Sequence, residues 1–467
     1  MIDITKPGIK FYLAASVSVL VLLFIQIFLL QITSNILIPF VFFILLSGIF
    51  LLSTFIKDFF LFLLFLSVIT YGYIDSEFNY YLNYMIIQDL PVLLIAFLAV
   101  LVYFSRSVSL EVSLSYFGKP LLIMFLSSFA LMILGIARGN QSYFAIYEFV
   151  NFTYLFLAFP ISITITDPKK YNVIFNIILA AGVLISSQYI INGVIFASDT
   201  RFTSFHASLF PVILALLVAK FIFLKGESIK RIGIVALILI FSVGAFGTLT
   251  RSVWISMFLA IFATVGFYLY DKYASRLKRY TNFVMMGAAV VSLFFLYSYA
   301  VASIESAQKE GLDYAAKGSD RIESLSSQTS DASFMMRVEI AYYLYEKFMA
   351  SPIVGEGLGS FVGYKIFGDS ELNYPDSVWF YYLWKGGLLF FIIAVWLYVR
   401  FFKTAIKIYR ASDDPLVKLY MLAFIGGFTA MMFYGLFAPQ MVKYSKLNLI
   451  FAVIYAFVLA EEKKLNE

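Results

Sequence analysis

The sequence predicts an all-α fold, a polytopic membrane helix bundle of about 14 transmembrane helices with one large extracytoplasmic loop. Of the 467 residues 62% are hydrophobic and only 13% are charged, and the mean hydropathy is +0.90. Soluble domains carry about 25% charged residues, so this composition excludes a soluble globular protein. Apolar runs of about 17 to 25 residues, the length that crosses about 30 Å of hydrocarbon, recur along the chain.

The apolar runs define the predicted elements in order. The candidate spans lie at about residues 9–30, 35–56, 58–74, 90–104, 120–137, 144–166, 172–197, 205–224, 232–249, 252–270, 281–301, 381–402, 415–437 and 444–460. They divide the chain into residues 1–301 with helices 1 to 11, a large loop at 302–380, and residues 381–467 with helices 12 to 14 and a cytoplasmic tail.

The distribution of basic residues predicts the orientation of these spans. Loops that follow even-numbered spans carry most of them, from Lys57 and Arg106 to Lys407 and Arg410. The connection between the third and fourth spans has acidic residues and no basic one. Because cytoplasmic loops are enriched in lysine and arginine, both termini are expected in the cytoplasm. Topology thus explains the net charge of +6, and no nucleic-acid partner is expected.

The loop at 302–380 contains twelve acidic and six basic residues and lacks a run long enough to span a membrane. Within it, the segment Ser333–Ala350 places Met336, Ile340, Leu344 and Phe348 on one face at helical spacing, and Pro352 ends the pattern. The pattern predicts an amphipathic helix. It could lie on the outer leaflet or act as a lid over a membrane cavity, and the two interpretations are compatible.

Four arginines fall at or near outer ends of the predicted spans, against the charge bias. They are Arg138, Arg201, Arg251 and, in the loop helix, Arg337. Guanidinium groups bind phosphate oxygens through paired hydrogen bonds, so a convergent set would bind a diphosphate at the membrane surface. The alternative is that each one reaches lipid headgroups or pairs with a carboxylate such as Glu148.

Four segments carry a resemblance to a known family. They read DTRFTSFHASLFPVILALL, GTLTRSVWISMFLA, MRVEIAYYLYEKFMASPIVGEGLGSF and PDSVWFYYLWKGGLLFF. In order, spacing and sidedness they resemble the O-antigen ligase and polymerase superfamily of lipid-linked glycan glycosyltransferases, over roughly residues 190–400. The matching positions are Arg201, Arg251, Arg337, Pro352, Gly355, Gly357, Gly359, Asp376, Ser377 and Gly387. The resemblance implies a GT-C-like membrane glycosyltransferase.

The implied reaction transfers a glycan from polyprenyl diphosphate to a sugar hydroxyl, at the outer face of the bacterial inner membrane. By this resemblance Arg201 and Arg251, with Arg138 and Arg337, would bind the diphosphate and stabilise the charge of the leaving group. Asp376 would orient or deprotonate the acceptor hydroxyl. An equal alternative makes Asp376 the N-cap of a helix starting near Ser377. No metal or other cofactor is expected.

Aromatic and glycine residues of the loop have two interpretations each. Tyr345 and Trp379 could stack on sugars, although interfacial aromatic belts predict the same residues. Gly355, Gly357 and Gly359 could bring backbone amides to a phosphate, but a turn after Pro352 is favoured.

One position favours a polymerase over a ligase. Ligases of this family carry a histidine where this chain has Asp376, and the single histidine, His206, is interpreted as a polar residue at a helix end. The alternatives are a ligase that transfers polymer to a different lipid or protein acceptor, and a lipid-linked glycan flippase or other transporter. Expected partners are the polyprenyl diphosphate-linked oligosaccharide and membrane lipid, with a chain-length regulator and a flippase implied by resemblance.

Overall fold

The computed structural model describes residues 109–164, 166–190, 208–224, 228–248, 250–273, 343–361, 377–436 and 445–467, together with Ile340, Ala438 and Val442. Within these ranges the chain forms helices and turns and contains no strand. The first four predicted spans and the eleventh lie outside the described residues, so the count of fourteen stays a prediction.

The helices follow one another with short connections. They are α1 Ser109–Ser113, α2 Gly118–Ala137, α3 Ser142–Phe156, α4 Ala158–Thr164, α5 Pro168–Ile190, α6 Phe210–Phe223, α7 Ser228–Gly247, α8 Arg251–Lys272, α9 Val378–Ala411, α10 Pro415–Tyr434 and α11 Ser445–Asn466. Seven candidate membrane spans occur among the described residues. The prediction of a polytopic helical membrane protein is therefore confirmed.

Two helices differ in length from the sequence prediction. Helix α6 has 14 residues and begins at Phe210 with Pro211 in its first turn, which suits a helix start because proline has no N–H to leave unsatisfied there. Helix α9 has 34 residues, about 51 Å at 1.5 Å per residue, so it is longer than the predicted span 381–402 and longer than a membrane requires.

The core of the bundle lies between α6, α8, α10 and α11. Helix α11 is buried on every face from Leu447 to Ala460, as expected for a helix that is apolar all round. Helix α7 instead leaves Ile229, Ile232 and Leu239 exposed on its outward side. Because this surface is apolar and belongs to a candidate span, it fits a lipid-facing position.

Contacts at the helix ends agree with the predicted sidedness. At one end, Arg410 of α9 bonds Asp271 of α8 at 2.9 Å. At the opposite end, the Val378 N–H donates to the Gly435 carbonyl at 2.8 Å, which joins the start of α9 to the end of α10. Each contact joins ends that the charge pattern assigns to one side. We name the end with Val378 the outer end, after the predicted topology.

A short helix of the large loop packs its apolar face as predicted. Ile340 and residues 343–350 are helical, and we name 343–350 the outer-segment helix. Ile340 and Leu344 are buried, whereas 53% of Tyr345 and 54% of Met349 are exposed. The helix ends at Ala350, two residues before Pro352.

Candidate functional site

Helix α9 is broken in its outer third, at Gly387. This residue has φ 63° and ψ −167°, a conformation that breaks the helical hydrogen-bond ladder. The carbonyls of Trp384 and Lys385 accept instead from the N–H groups of Glu356 (3.0 Å) and Gly357 (2.9 Å). A segment of the large loop therefore takes the place of the missing helical turn.

The other side of the break is satisfied by the same segment. The N–H groups of Leu388 and Leu389 donate to the carbonyls of Pro352 (2.8 Å) and Ile353 (3.1 Å). Backbone groups freed by a break inside a membrane helix must find partners within the protein. Residues 351–361 provide them, and we name these residues the glycine turn.

The glycine turn requires its glycines for conformation and for space. Gly355, Gly357 and Gly359 have φ values of 65°, 85° and 76°, which side chains disfavour. A Cβ on Gly357 would lie 2.5 Å from the backbone N of Gly135 in α2, and one on Gly359 would lie 2.7 Å from the N of Ala145 in α3. The turn is thus wedged between the α2–α3 hairpin and α9.

The glycine turn reaches below the helix ends. It bonds the carbonyl of Leu131, six residues before α2 ends, and the side chain of Glu148, six residues after α3 begins. At 1.5 Å per residue these contacts lie about 9 Å inside the bundle. A non-helical segment at this depth is tolerated because protein surrounds it.

The backbone amides of the turn are used within the protein. Gly355 N–H donates to Ser351 O (2.9 Å), Leu358 N–H to Leu131 O (3.1 Å) and Gly359 N–H to a Glu148 carboxylate oxygen (2.8 Å). The two amides between them bond α9, as described above. The interpretation of the glycines as a turn is therefore favoured over a phosphate site, which would need these amides.

A buried ion pair lies directly beneath the turn. The Lys385 Nζ atom of α9 is 2.9 Å from Glu148 Oε1 of α3, and the side chains are 0% and 1% exposed. The ammonium group also donates to the Ser360 carbonyl. Both charges thus have one partner in the other helix and one in the glycine turn, which is the pairing that buried ions need.

A chain of polar contacts leads from this pair to the surface. The Lys385 Nζ atom lies 4.1 Å from the centroid of the Trp384 ring, and the Trp384 Nε1–H donates to Glu356 Oε2 at 2.8 Å. The other carboxylate oxygen of Glu356 is 3.3 Å from Lys347 Nζ on the outer-segment helix. The buried pair and the exposed helix are therefore linked through one carboxylate.

Of the predicted arginines, Arg138 is brought to the turn. Its guanidinium group donates to the Gly355 carbonyl. Two residues on, the Asn140 side-chain amide donates to the carbonyls of Glu356 and Leu358, both at 3.1 Å. The arginine has five N–H donors, and this bond uses one of them. Arg138 stands at the outer end, as its predicted role requires.

The other predicted site residues are placed only in part. Arg251 is the first residue of α8, at the outer end. The side chain of Tyr345 is exposed, whereas Trp379 packs its ring among Tyr382, Phe391 and Tyr398. The remaining three, Arg201, Arg337 and Asp376, lie outside the described residues.

One alternative from the sequence is corrected by the structure. The N-cap position of α9 is held by Ser377 and not by Asp376. The Ser377 hydroxyl donates to the Gly435 carbonyl of the α10 end at 3.2 Å. The first turn of α9 is therefore fixed through contacts with α10.

The sequence analysis missed Lys385 as a partner and considered Glu148 only for an arginine. A signal was present, because each residue is an ionisable group inside an apolar run of spanning length, and such groups pair with one another. Their separation in sequence gave no means of matching them.

A broken membrane helix, a re-entrant turn and a buried ion pair define a multi-pass helical membrane protein whose large loop is built into its bundle. Residues 235–395 match the model of a protein family described as O-antigen ligase. This match confirms the resemblance to the O-antigen polymerase and ligase superfamily, without separating polymerases from ligases. No curated protein matches the chain.

Proposed function

We propose that the protein is a polysaccharide polymerase of the bacterial inner membrane. It transfers glycan from polyprenyl diphosphate to a sugar hydroxyl of a second lipid-linked repeat unit, at the outer face and without a metal ion. The observation that carries this proposal is the family match, which covers Arg251, the glycine turn and the break in α9.

The proposed chemistry is a displacement at the anomeric carbon. The bond from this carbon to the diphosphate oxygen breaks, and a bond to the acceptor oxygen forms. Arg201 and Arg251, with Arg138 and Arg337, stabilise the negative charge that develops on the diphosphate. Asp376 takes the proton of the acceptor hydroxyl. Tyr345 and Trp379 contact the sugars.

A ligase activity is the second candidate, because the matching family is described by that activity. A ligase would use the same donor and give the polymer to a different lipid or protein. Asp376, at the position where ligases of the family carry histidine, favours the polymerase. A flippase that delivers repeat units and a chain-length regulator are the proposed partners.

The test is a glycan ladder on a gel from cells that lack the gene, complemented with wild type, Arg201→Ala, Arg251→Ala or Asp376→Asn. We expect each variant to lose the ladder and leave single repeat units on the acceptor, because removing charge stabilisation costs about 100- to 1,000-fold in rate. Arg410→Ala, an exposed arginine at the inner end, is the matched control and should keep the ladder.

Two other outcomes would change the assignment. Polymer that accumulates on the polyprenyl carrier would indicate a ligase. A wild-type ladder in all three variants, at equal membrane abundance, would exclude the proposed site.

A further inference from the structure

We propose that Glu148 and Lys385 are positioning residues that clamp the glycine turn and thereby hold the large loop in the arrangement that glycan transfer needs. The consequence for transfer rests on the proposed function. The clamp itself is a property of the fold and can be measured without substrate.

The first argument is the second partner of each charge. Glu148 accepts the Gly359 N–H at 2.8 Å, and Lys385 donates to the carbonyl of the next residue, Ser360. Two successive residues of the turn thus present a donor to the anion and an acceptor to the cation. An ion pair that only joined α3 to α9 would not need this match.

The second argument is energetic. Moving two ions out of water costs several kcal/mol per ion, and well-packed apolar residues in their place are often equally stable. A pair that is 0% and 1% exposed is therefore a poor source of net stability. It does select one arrangement of the turn, because any displacement of Gly359 or Ser360 leaves a buried charge with an unsatisfied valence.

The third argument is where the turn lies in the chain. Arg337 precedes the glycine turn and Asp376 follows it, so the turn is the fixed point between two proposed site residues. On the exposed side, Glu356 connects Trp384 to Lys347 of the outer-segment helix. Loosening the clamp would release both neighbouring parts of the loop together.

The position of the turn can be measured by thiol labelling, since the chain has no cysteine. Ser360 is only 5% exposed, so Ser360→Cys gives one protected thiol under the clamp. A membrane-impermeant maleimide is added to spheroplasts, and Met349→Cys on the exposed helix serves as the reactive reference. We compare the clamp variants in the Ser360→Cys background.

The informative variants are Glu148→Gln with Lys385→Met, which removes both charges, and the exchange Glu148→Lys with Lys385→Glu. We expect the neutral pair to accumulate normally, to label at least about tenfold faster because the thiol reacts from an opened turn, and to shorten or lose the ladder. The exchanged pair should fare no better, because it sets an ammonium against the Gly359 N–H and a carboxylate against the Ser360 carbonyl.

Other results would overturn the clamp. Full protection with a normal ladder in the neutral pair would show that the charges do not position the turn. Recovery of protection in the exchanged pair would show a plain interhelical ion pair. If neither pair accumulates, Glu148→Asp decides, because it keeps the charge but is too short for both contacts; wild-type labelling there contradicts the proposal. Labelling rises without any glycan defect if the clamp is right and the proposed function wrong.

Discussion

The glycines at 355, 357 and 359 hold conformations that other residues rarely adopt, in a place where backbone meets backbone. Their positive φ angles let the chain fold back between α2, α3 and α9, and the missing Cβ atoms let helix backbones touch the turn. Conformation and space therefore demand glycine independently, and a substitution would fail on both grounds.

Gly357→Ala is expected to destabilise the protein. The strained φ of 85° costs about 1 to 3 kcal/mol, and the new Cβ would also push against the Gly135 backbone, 2.5 to 2.6 Å away. The measurement is the melting temperature of the purified protein in detergent.

Gly233→Ala is the matched control, because Gly233 lies within α7 and an added Cβ meets nothing within 4 Å. Alanine there should be neutral or stabilising by about 0.5 to 1 kcal/mol. Equal melting temperatures for both variants would contradict the described packing of the turn.

At the scale of elements, the beginning of α2 is stabilised by a residue from the end of the chain. The N-cap residue is Phe117, whose side chain has no acceptor for the amides of the first turn. The carboxylate of Glu462 in α11 accepts the Phe117 N–H at 3.2 Å and the Ser115 hydroxyl at 2.9 Å. Helix α11 therefore fixes the inner end of α2.

This contact predicts a pH dependence. Burial raises the pKa of Glu462 above its ordinary value of 4.5, against the lowering effect of its hydrogen bonds. The folded state then binds this proton more tightly than the unfolded state, so its stability is greatest below pH 4.5 and falls as pH rises through the raised pKa.

Glu462→Gln keeps an acceptor oxygen and removes the titration. Its melting temperature, minus that of the wild type, should increase between about pH 4 and pH 8. Glu111→Gln, at an exposed position of α1, controls for other effects of pH. A difference that stays constant over this range would show that Glu462 is not buried as described.

At the scale of the whole molecule, helix ends that the charge pattern assigns to one side do meet in the fold. Glycine turn, α9 start and α10 end lie together, as do the ends of α8, α9 and α11 with α1 at the other side. A basic stripe continues α9 beyond the length that a membrane needs, which suits a cytoplasmic end.

The orientation can be tested with single cysteines in this cysteine-free chain. Met349→Cys should react with an impermeant maleimide in intact spheroplasts, whereas Lys403→Cys near the inner end of α9 should react only after permeabilisation, because the membrane blocks the reagent. Both positions are exposed in the structure. The reverse pattern would invert the topology and place the glycine turn in the cytoplasm.

The sequence alone determined the class of fold and the main helices. A spanning helix satisfies its own backbone hydrogen bonds, so its existence depends on local length and apolarity, and the runs at 120–137 and 415–437 predicted α2 and α10 closely. The charge of short loops predicted sidedness, and the order of short motifs predicted the family.

Only the tertiary structure decided how the candidate site is built. Lys385 lies inside an apolar helix pattern and Glu148 in another, and nothing local shows that they meet. Likewise the glycines that read as a surface turn fill a break in α9, because the backbone groups freed at Gly387 need partners in a place without water. Pairing between distant segments depends on the fold that surrounds them, and a linear pattern holds no record of it.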